Sequence, residues 1–262
     1  MPRIVMRMDN LNERNAEFVQ TPLKHPVFLN SVPKCGTHLI RNIMRMFAPV
    51  EQQYHATFVQ HANLLQHGPY AFNPNIPKLS WGHLFFSDDA AAFTRYTRHI
   101  VLVRDPYDWV LARARFFLSE NFEGRTDSLK SGAYATKDIL NMMIFGIHQK
   151  APGLEEIFRH NAVAWIGTGA SMIRYEDLVA NVKQLETPAA EAYFMRLFDM
   201  CGIVSPADWR ERVAIGADRK QSSTARENLS GGLTDLPDQL PEAQRKLVDY
   251  AAPGLRVLLG YA

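Results

Sequence analysis

Short, unbroken apolar runs alternate along this chain with stretches whose apolar residues recur every three or four positions. Residues 27–32 (Val27, Phe28, Leu29, Asn30, Ser31, Val32) have strand character. After the turn Pro33, Lys34, Cys35, Gly36, Thr37, apolar positions fall at Leu39, Ile40, Ile43, Met44 and Phe47, the spacing of a half-buried helix. Residues 78–83 read as a strand ending at His83, and residues 87–96 as a helix with Ser87 as N-cap. Residues 99–104 are apolar without alternation, as central parallel strands are. Asp105 and Pro106 open the next helix, with Trp109, Val110, Ala114, Phe117 and Leu118 on its apolar face. Helices over 137–149 and 154–166, a strand over 170–174, and helices from Tyr175 and over 188–201, 206–217 and 241–251 follow. Residues 1–26, 121–132 and 218–232 read as irregular, and 54–77 as a polar loop with a helical piece. Strands alternating with helices predict an α/β fold, a doubly wound parallel sheet with helices on both faces, in one domain over 1–262.

Such a sheet binds ligands beyond the carboxyl ends of its strands. Lys34, His83, Arg104 and Tyr175 each fall just after a predicted strand. The first of these lies in a strand–turn–helix unit, where the free N–H groups and positive dipole end of the helix face the turn. Gly36 permits close backbone approach there, Thr37 adds a hydroxyl and Lys34 a full positive charge. The unit is therefore a P-loop-type anion site. It is not the common nucleotide loop G-x-x-x-x-G-K-[ST], because Lys34 precedes the single Gly36.

Composition narrows the classes. The 262 residues are 47% hydrophobic and 21% charged, as in a globular protein with a sizeable core. A formal charge of +2 gives no reason to expect nucleic acid as a partner. Two cysteines, Cys35 and Cys201, make no disulfide framework and suit a reducing compartment. No apolar run approaches the roughly 18 residues of a membrane span, and residues 1–10 lack a signal peptide's apolar stretch, so the chain reads as cytoplasmic. His55, His61 and His67 do not share one helical face and have no cysteine beside them, so no metal site is expected.

The order of these motifs resembles that of the sulfotransferases that use 3′-phosphoadenosine 5′-phosphosulfate (PAPS). Their 5′-phosphosulfate loop, P-K-[SA]-G-T-[TH], matches Pro33, Lys34, Cys35, Gly36, Thr37, His38. Their catalytic histidine matches His83 in Trp81, Gly82, His83, Leu84. Their R-[ND]-P-x-D turn matches Arg104 to Asp108, and their Y-E-D-L matches Tyr175 to Leu178. A C-terminal loop that closes over the nucleotide is partly matched from Thr224 through Arg226 to Gly231 and Gly232. The likeness covers residues 27–262. It implies that Lys34, Cys35, Gly36, Thr37, His38 and Leu39 hold the 5′-phosphosulfate. It also implies nucleotide contacts from Arg104, Tyr175 and Arg226, with His83 and Lys34 catalytic, PAPS as donor and no metal. The acceptor would be a small molecule, a sugar or a lipid headgroup, sulfated on a hydroxyl or an amine; the oligomeric state stays open.

The physics of the transfer fits these roles. Moving a charged SO₃ group in line between two oxygens asks the protein for positioning and charge stabilisation. A histidine near neutrality suits the acceptor's proton, and a fork-shaped arginine suits a phosphate without metal. Several positions depart from the family. Ala112 stands where a serine usually meets the 3′-phosphate, with Arg113 or Arg115 as substitutes. Leu39 stands where an aromatic often stacks on adenine, and Glu227, Asn228 and Leu233 alter the C-terminal loop. Arg104 could instead pair with Asp108, and Glu176 and Asp177 could be first-turn helix carboxylates. His38 is a second base candidate. Two other functions remain open. Cys35 and Arg41 have the C-x₅-R spacing of cysteine phosphatases. A nucleotide-binding module without catalysis is the other.

Overall fold

The computed structural model describes residues 3, 4, 8–120, 122–124, 126–221 and 236–261. In chain order its strands are β1 (Arg3–Ile4), β2 (Val27–Ser31), β3 (Val59–Gln60), β4 (Leu79–His83), β5 (Arg98–Val103), β6 (Phe122–Glu123) and β7 (Ser171–Arg174). Its helices are α1 (Leu11–Ala16), α2 (Thr37–Arg45), α3 (Leu64–Ala71), α4 (Asp88–Thr94), α5 (Pro106–Leu118) and α6 (Thr136–Phe145). After these come α7 (Leu154–Asn161), α8 (Tyr175–Val182), α9 (Pro188–Cys201), α10 (Trp209–Ala217), α11 (Glu242–Ala251) and α12 (Leu255–Leu258).

Five strands form one parallel sheet in the order β3-β4-β2-β5-β7. Every residue of β2 is buried, and so is every residue of β5 after Arg98. Side chains alternate between the faces of a strand, so burial of both sets means that helices cover both faces. The chain leaves the central β2 toward β3 and β4 on one side and then toward β5 and β7 on the other. The switch point therefore lies between β2 and β5, where a parallel sheet opens a crevice for ligands.

Local signals hold where the side chains themselves close the element. Ser87 accepts a hydrogen bond from the Ala90 N–H (3.1 Å), and Asp105 accepts one from Tyr107 (2.9 Å) with Pro106 in the first turn. Four expectations are corrected. Residues 1–26 are not irregular throughout. Leu11 on α1 is fully buried, and the Asn15 amide donates to the carbonyls of Arg45 and Ala48 at the end of α2. A six-residue helix with one core leucine leaves no periodicity to read. Residues 54–77 contribute the edge strand β3. The helix predicted over 137–149 ends at Phe145, beyond which Ile147 donates to the Ala151 carbonyl (2.8 Å) in a tight turn. The helix predicted over 154–166 ends at Asn161, whose amide turns inward to the carbonyls of Ser31 and Leu84 (3.4 and 3.3 Å).

Candidate active site

The turn between β2 and α2 is held from outside. Trp109 of α5, fully buried, donates its indole N–H to the Pro33 carbonyl (2.6 Å). Lys34 adopts a left-handed φ of 69° and Gly36 one of 94°. A Cβ on Gly36 would lie 2.4 Å from the Tyr175 ring, so glycine is required both by the turn and by the tyrosine lying over it. That ring also meets Arg104, whose guanidinium carbon is 4.7 Å from its centroid. The loop, the end of β5 and the start of α8 thus meet at the switch point. The Lys34 ammonium lies 3.4 Å from the centroid of Phe116.

Opposite, β4 delivers His83. Its Nδ1 lies 2.7 Å from the Ser31 carbonyl, which can only accept, so Nδ1 carries the proton and Nε2 the lone pair. The Ser31 hydroxyl lies 3.2 Å from the same Nδ1 and 2.6 Å from the Thr37 hydroxyl, so one buried residue joins the histidine to the loop. Asn30 fixes the next residue by exchanging two hydrogen bonds with the Leu84 backbone (2.9 and 3.1 Å). Gly82 faces β3 so closely that a Cβ would meet the Val59 carbonyl at 1.8 Å. This approach brings Phe58 edge-on to His83, centroids 4.7 Å apart. Burial, with the charge of Lys34, pushes the His83 imidazole down to about 4 against its hydrogen bonds to backbone. His38 is pushed lower, to about 3, by burial and the charges of Arg41, Lys34 and His83.

Arg104 differs from its neighbours. Its Nε is buried and has no hydrogen-bond partner among the described residues. It does not pair with Asp108. The surrounding carboxylates are occupied elsewhere. Glu176 accepts from the Asp105 N–H (3.1 Å) and from the Tyr261 hydroxyl (2.7 Å), and Asp105 pairs with Arg256 (3.0 Å). Asp177 takes Arg174 in two hydrogen bonds (2.8 and 2.9 Å). Glu176 and Asp105 tie the C-terminal segment to the ends of β5 and β7.

Several predicted residues have other environments. The Cys35 side chain is fully buried, and its N–H donates to the Val32 carbonyl (3.1 Å). Burial raises the thiol well above its usual range, against the nearby Arg104 charge. Arg41 lies on α2 over the Trp81 ring, 4.3 Å from its centroid, so the two ends of the C-x₅-R spacing do not form one thiolate-centred anion loop. Leu39 packs against the core. Arg113 does not replace the missing serine at Ala112. It is buried and donates to the carbonyls of Met143 and Pro152 (2.9 and 2.7 Å). Arg115 reaches toward the Pro237 carbonyl (3.5 Å). Arg226, with residues 222–235, lies outside the described residues. Among the described residues no group of three or more His, Cys, Asp or Glu side chains could hold a metal ion, and no helix is long and apolar enough to cross a membrane. Sequence reasoning passed over Ser31, Asn30, Phe58, Trp109 and Asn161. For Asn30 and Ser31 the available signal was their place as the two polar residues inside the apolar run 27–32.

No protein-family model matches the chain, and no curated protein matches it in sequence. Among solved structures, mouse sulfotransferase SULT7A1 complexed with PAP aligns over 98% of this chain and 95% of its own, with a TM-score of 0.59 and 13% identity. The sulfotransferase domain from the curacin biosynthetic pathway aligns over 92% of this chain and 99% of its own, with a TM-score of 0.42 and 14% identity. The first of these likenesses, together with the parallel sheet and the loop at its switch point, gives the conclusion that this chain has the sulfotransferase fold.

Proposed function

We propose that this protein is a sulfotransferase that takes its sulfuryl group from PAPS and gives it to a hydroxyl of a small acceptor. The observation that carries the reading is the Nδ1–H bond from His83 to the Ser31 carbonyl, which leaves Nε2 as a fixed, neutral base beside the loop. Two further features suit the donor. Arg104, just after β5, has a buried Nε unmet among the described residues, and a cation there fits a 3′-phosphate. Gly36 opens the backbone at the start of α2, where N–H groups and helix dipole suit a 5′-phosphate.

In the transfer, Nε2 of His83 takes the acceptor's proton as the acceptor oxygen bonds to sulfur. The bond from sulfur to the 5′-phosphate oxygen breaks, and the electron pair leaves with the phosphate. Lys34 and the first N–H groups of α2 stabilise that developing charge. His38, at the start of α2 with its ring edge-on to Trp81, is assigned to binding. The buried, raised thiol of Cys35 disfavours the phosphatase reading, which needs a thiolate.

The test is direct. PAP should raise the melting temperature, and incubation with PAPS and a panel of phenols, sugars and amines should release PAP in step with a sulfated product. Hydrolysis of p-nitrophenyl phosphate that disappears in Cys35→Ser, with no stabilisation by PAP, would replace this reading by the phosphatase.

A further inference from the structure

Arg104 is flanked by acid. The next residue, Asp105, carries a carboxylate, and so does Glu176, which follows the tyrosine whose ring meets the guanidinium. Glu176 accepts from the Asp105 N–H, the peptide group that joins Asp105 to Arg104. The charges of Arg104 and Glu176 act on one buried thiol, Cys35, in opposite senses. Two carboxylates thus stand beside the points that anchor the guanidinium. An arginine with an open donor is drawn to such a neighbour, because a charge-assisted hydrogen bond is about twice as strong as a neutral one. Yet the buried Arg104 Nε has no hydrogen-bond partner among the described residues.

The C-terminal segment accounts for this. Glu176 has one oxygen on the Asp105 N–H and the other on the Tyr261 hydroxyl. Asp105 is gripped at two points by Arg256, Nε to one oxygen (3.2 Å) and an Nη to the other (3.0 Å). The two side chains are only 24% and 18% exposed, so solvent screens the pair little. Arg256 is itself well fixed. Its guanidinium carbon lies 4.2 Å from the centroid of Tyr107. Its backbone belongs to the turn that closes α12: Tyr261 N–H donates to the Arg256 carbonyl (2.8 Å), Gly260 N–H donates to that of Val257 (3.0 Å), and Gly260 has a φ of 81°. One turn therefore delivers both the cation that holds Asp105 and the hydroxyl that holds Glu176.

We infer that Arg256 is a positioning residue of the nucleotide site: by holding Asp105 at two points it keeps that carboxylate off Arg104 and leaves the Arg104 guanidinium open to a phosphate. The identity of that phosphate, the 3′-phosphate of PAPS, rests on the proposed function. The guarding of Arg104 rests on the ion pair alone.

The test reads Arg104 without and with ligand. In the ligand-free chain the Arg104 Nε–H resonance, assigned by its loss in Arg104→Lys, should move downfield in Arg256→Gln. It should return in Arg256→Gln/Asp105→Asn, where asparagine still caps α5. In calorimetry, PAP should bind Arg256→Gln at least about tenfold more weakly than wild type, the scale of one charge-assisted contact. Adding Asp105→Asn should restore most of that affinity and change wild type much less, because there the carboxylate is already held. A charge acting only at a distance would give Asp105→Asn the same gain in both backgrounds. Melting temperatures report folding, and Arg256→Lys, which keeps the charge but not the fork, carries the same comparison at smaller amplitude. An unmoved resonance, an unchanged PAP affinity in Arg256→Gln, or equal gains in the two backgrounds overturns the inference. A moved resonance in a chain that binds no PAP supports the guard and removes the proposed donor. PAP binding that ignores Arg256 does the reverse.

Discussion

The two sides of the crevice are built on opposite plans. At the ends of β2 and β4 the proposed base is itself tied down: His83 is held through Nδ1 by Ser31, its neighbour Leu84 by Asn30, and the Leu84 carbonyl by Asn161. At the ends of β5 and β7 the hydrogen bonds go to the surroundings: Glu176 accepts from the Asp105 N–H and the Tyr261 hydroxyl and Arg174 donates to the Gly260 carbonyl, while the Arg104 guanidinium rests on an aromatic face with Nε unmet among the described residues. A base must be in the right tautomer before substrate arrives. A phosphate-binding cation gains most if its donors are not already taken. On the proposed function, the difference is between a group organised for chemistry and one organised for binding.

The largest expected effect breaks the first plan. His83→Asn should lower turnover by about a hundred- to ten-thousand-fold, with PAP affinity nearly unchanged. Normal turnover in the variant would make His83 structural. Arg104→Ala breaks the second plan and should weaken PAP by about 2–5 kcal/mol in calorimetry, with the base side intact. An unchanged dissociation constant would mean that the unmet Nε faces no ligand.

Smaller changes sharpen the contrast. Trp109→Phe removes the donor to the Pro33 carbonyl and should cost about 1–3 kcal/mol in denaturant unfolding, the scale for a buried group left unsatisfied. Stability equal to wild type would show that the loop does not need this anchor. Tyr261→Phe frees one oxygen of Glu176. It should weaken PAP by about 1 kcal/mol with kcat unchanged, because the flanking backbone of Arg104 loosens and the base does not. A fall in kcat at constant affinity would merge the two sides.

Acidity distinguishes the sides as well. As the proposed base His83 acts when neutral, so kcat/KM for PAPS should fall only as pH drops through about 4, and stay level above it. Bound donor brings negative charge beside the ring, so the corresponding limb of kcat should lie higher. A limb at 6.5 in both profiles would contradict the buried position of the ring. His99, buried on β5, is likewise pushed down by burial, to about 3. Its contribution is complete above pH 6.5, where the unfolded chain is also neutral. It is lost as pH falls and the unfolded chain alone takes up the proton, by about 2 kcal/mol at pH 5. Replacing His99 by Gln should flatten that part of the stability–pH curve, and an unchanged slope would assign it elsewhere.

Much of this organisation was legible in the chain. The parallel strands and the loop announced themselves because burial on both faces requires unbroken apolar runs, and a strand-to-helix turn requires glycine. What was not legible depends on which way a polar side chain turns. Ser31 and Asn30 read as two residues inside the strand over 27–32, yet they hold His83 and Leu84. Arg113 looked like a spare cation, yet two carbonyls distant in sequence claim it. The short β3 and α1 escaped because two and six residues are too few for a period, and tertiary contacts alone stabilise them.

The close approach at Gly82 reaches beyond the chemistry. β3 is only two residues long, and it covers the outer flank of β4 at the point where a side-chain carbon could not fit. If that cover lifts, β4 becomes the border of the sheet, with a row of unsatisfied peptide groups open to another chain. Self-association, more than inactivity, is then the expected fate of substitutions at position 82. Gly82→Ala should elute as aggregates or soluble oligomers in gel filtration, and a well-behaved monomer would show that β3 can yield without exposing its neighbour.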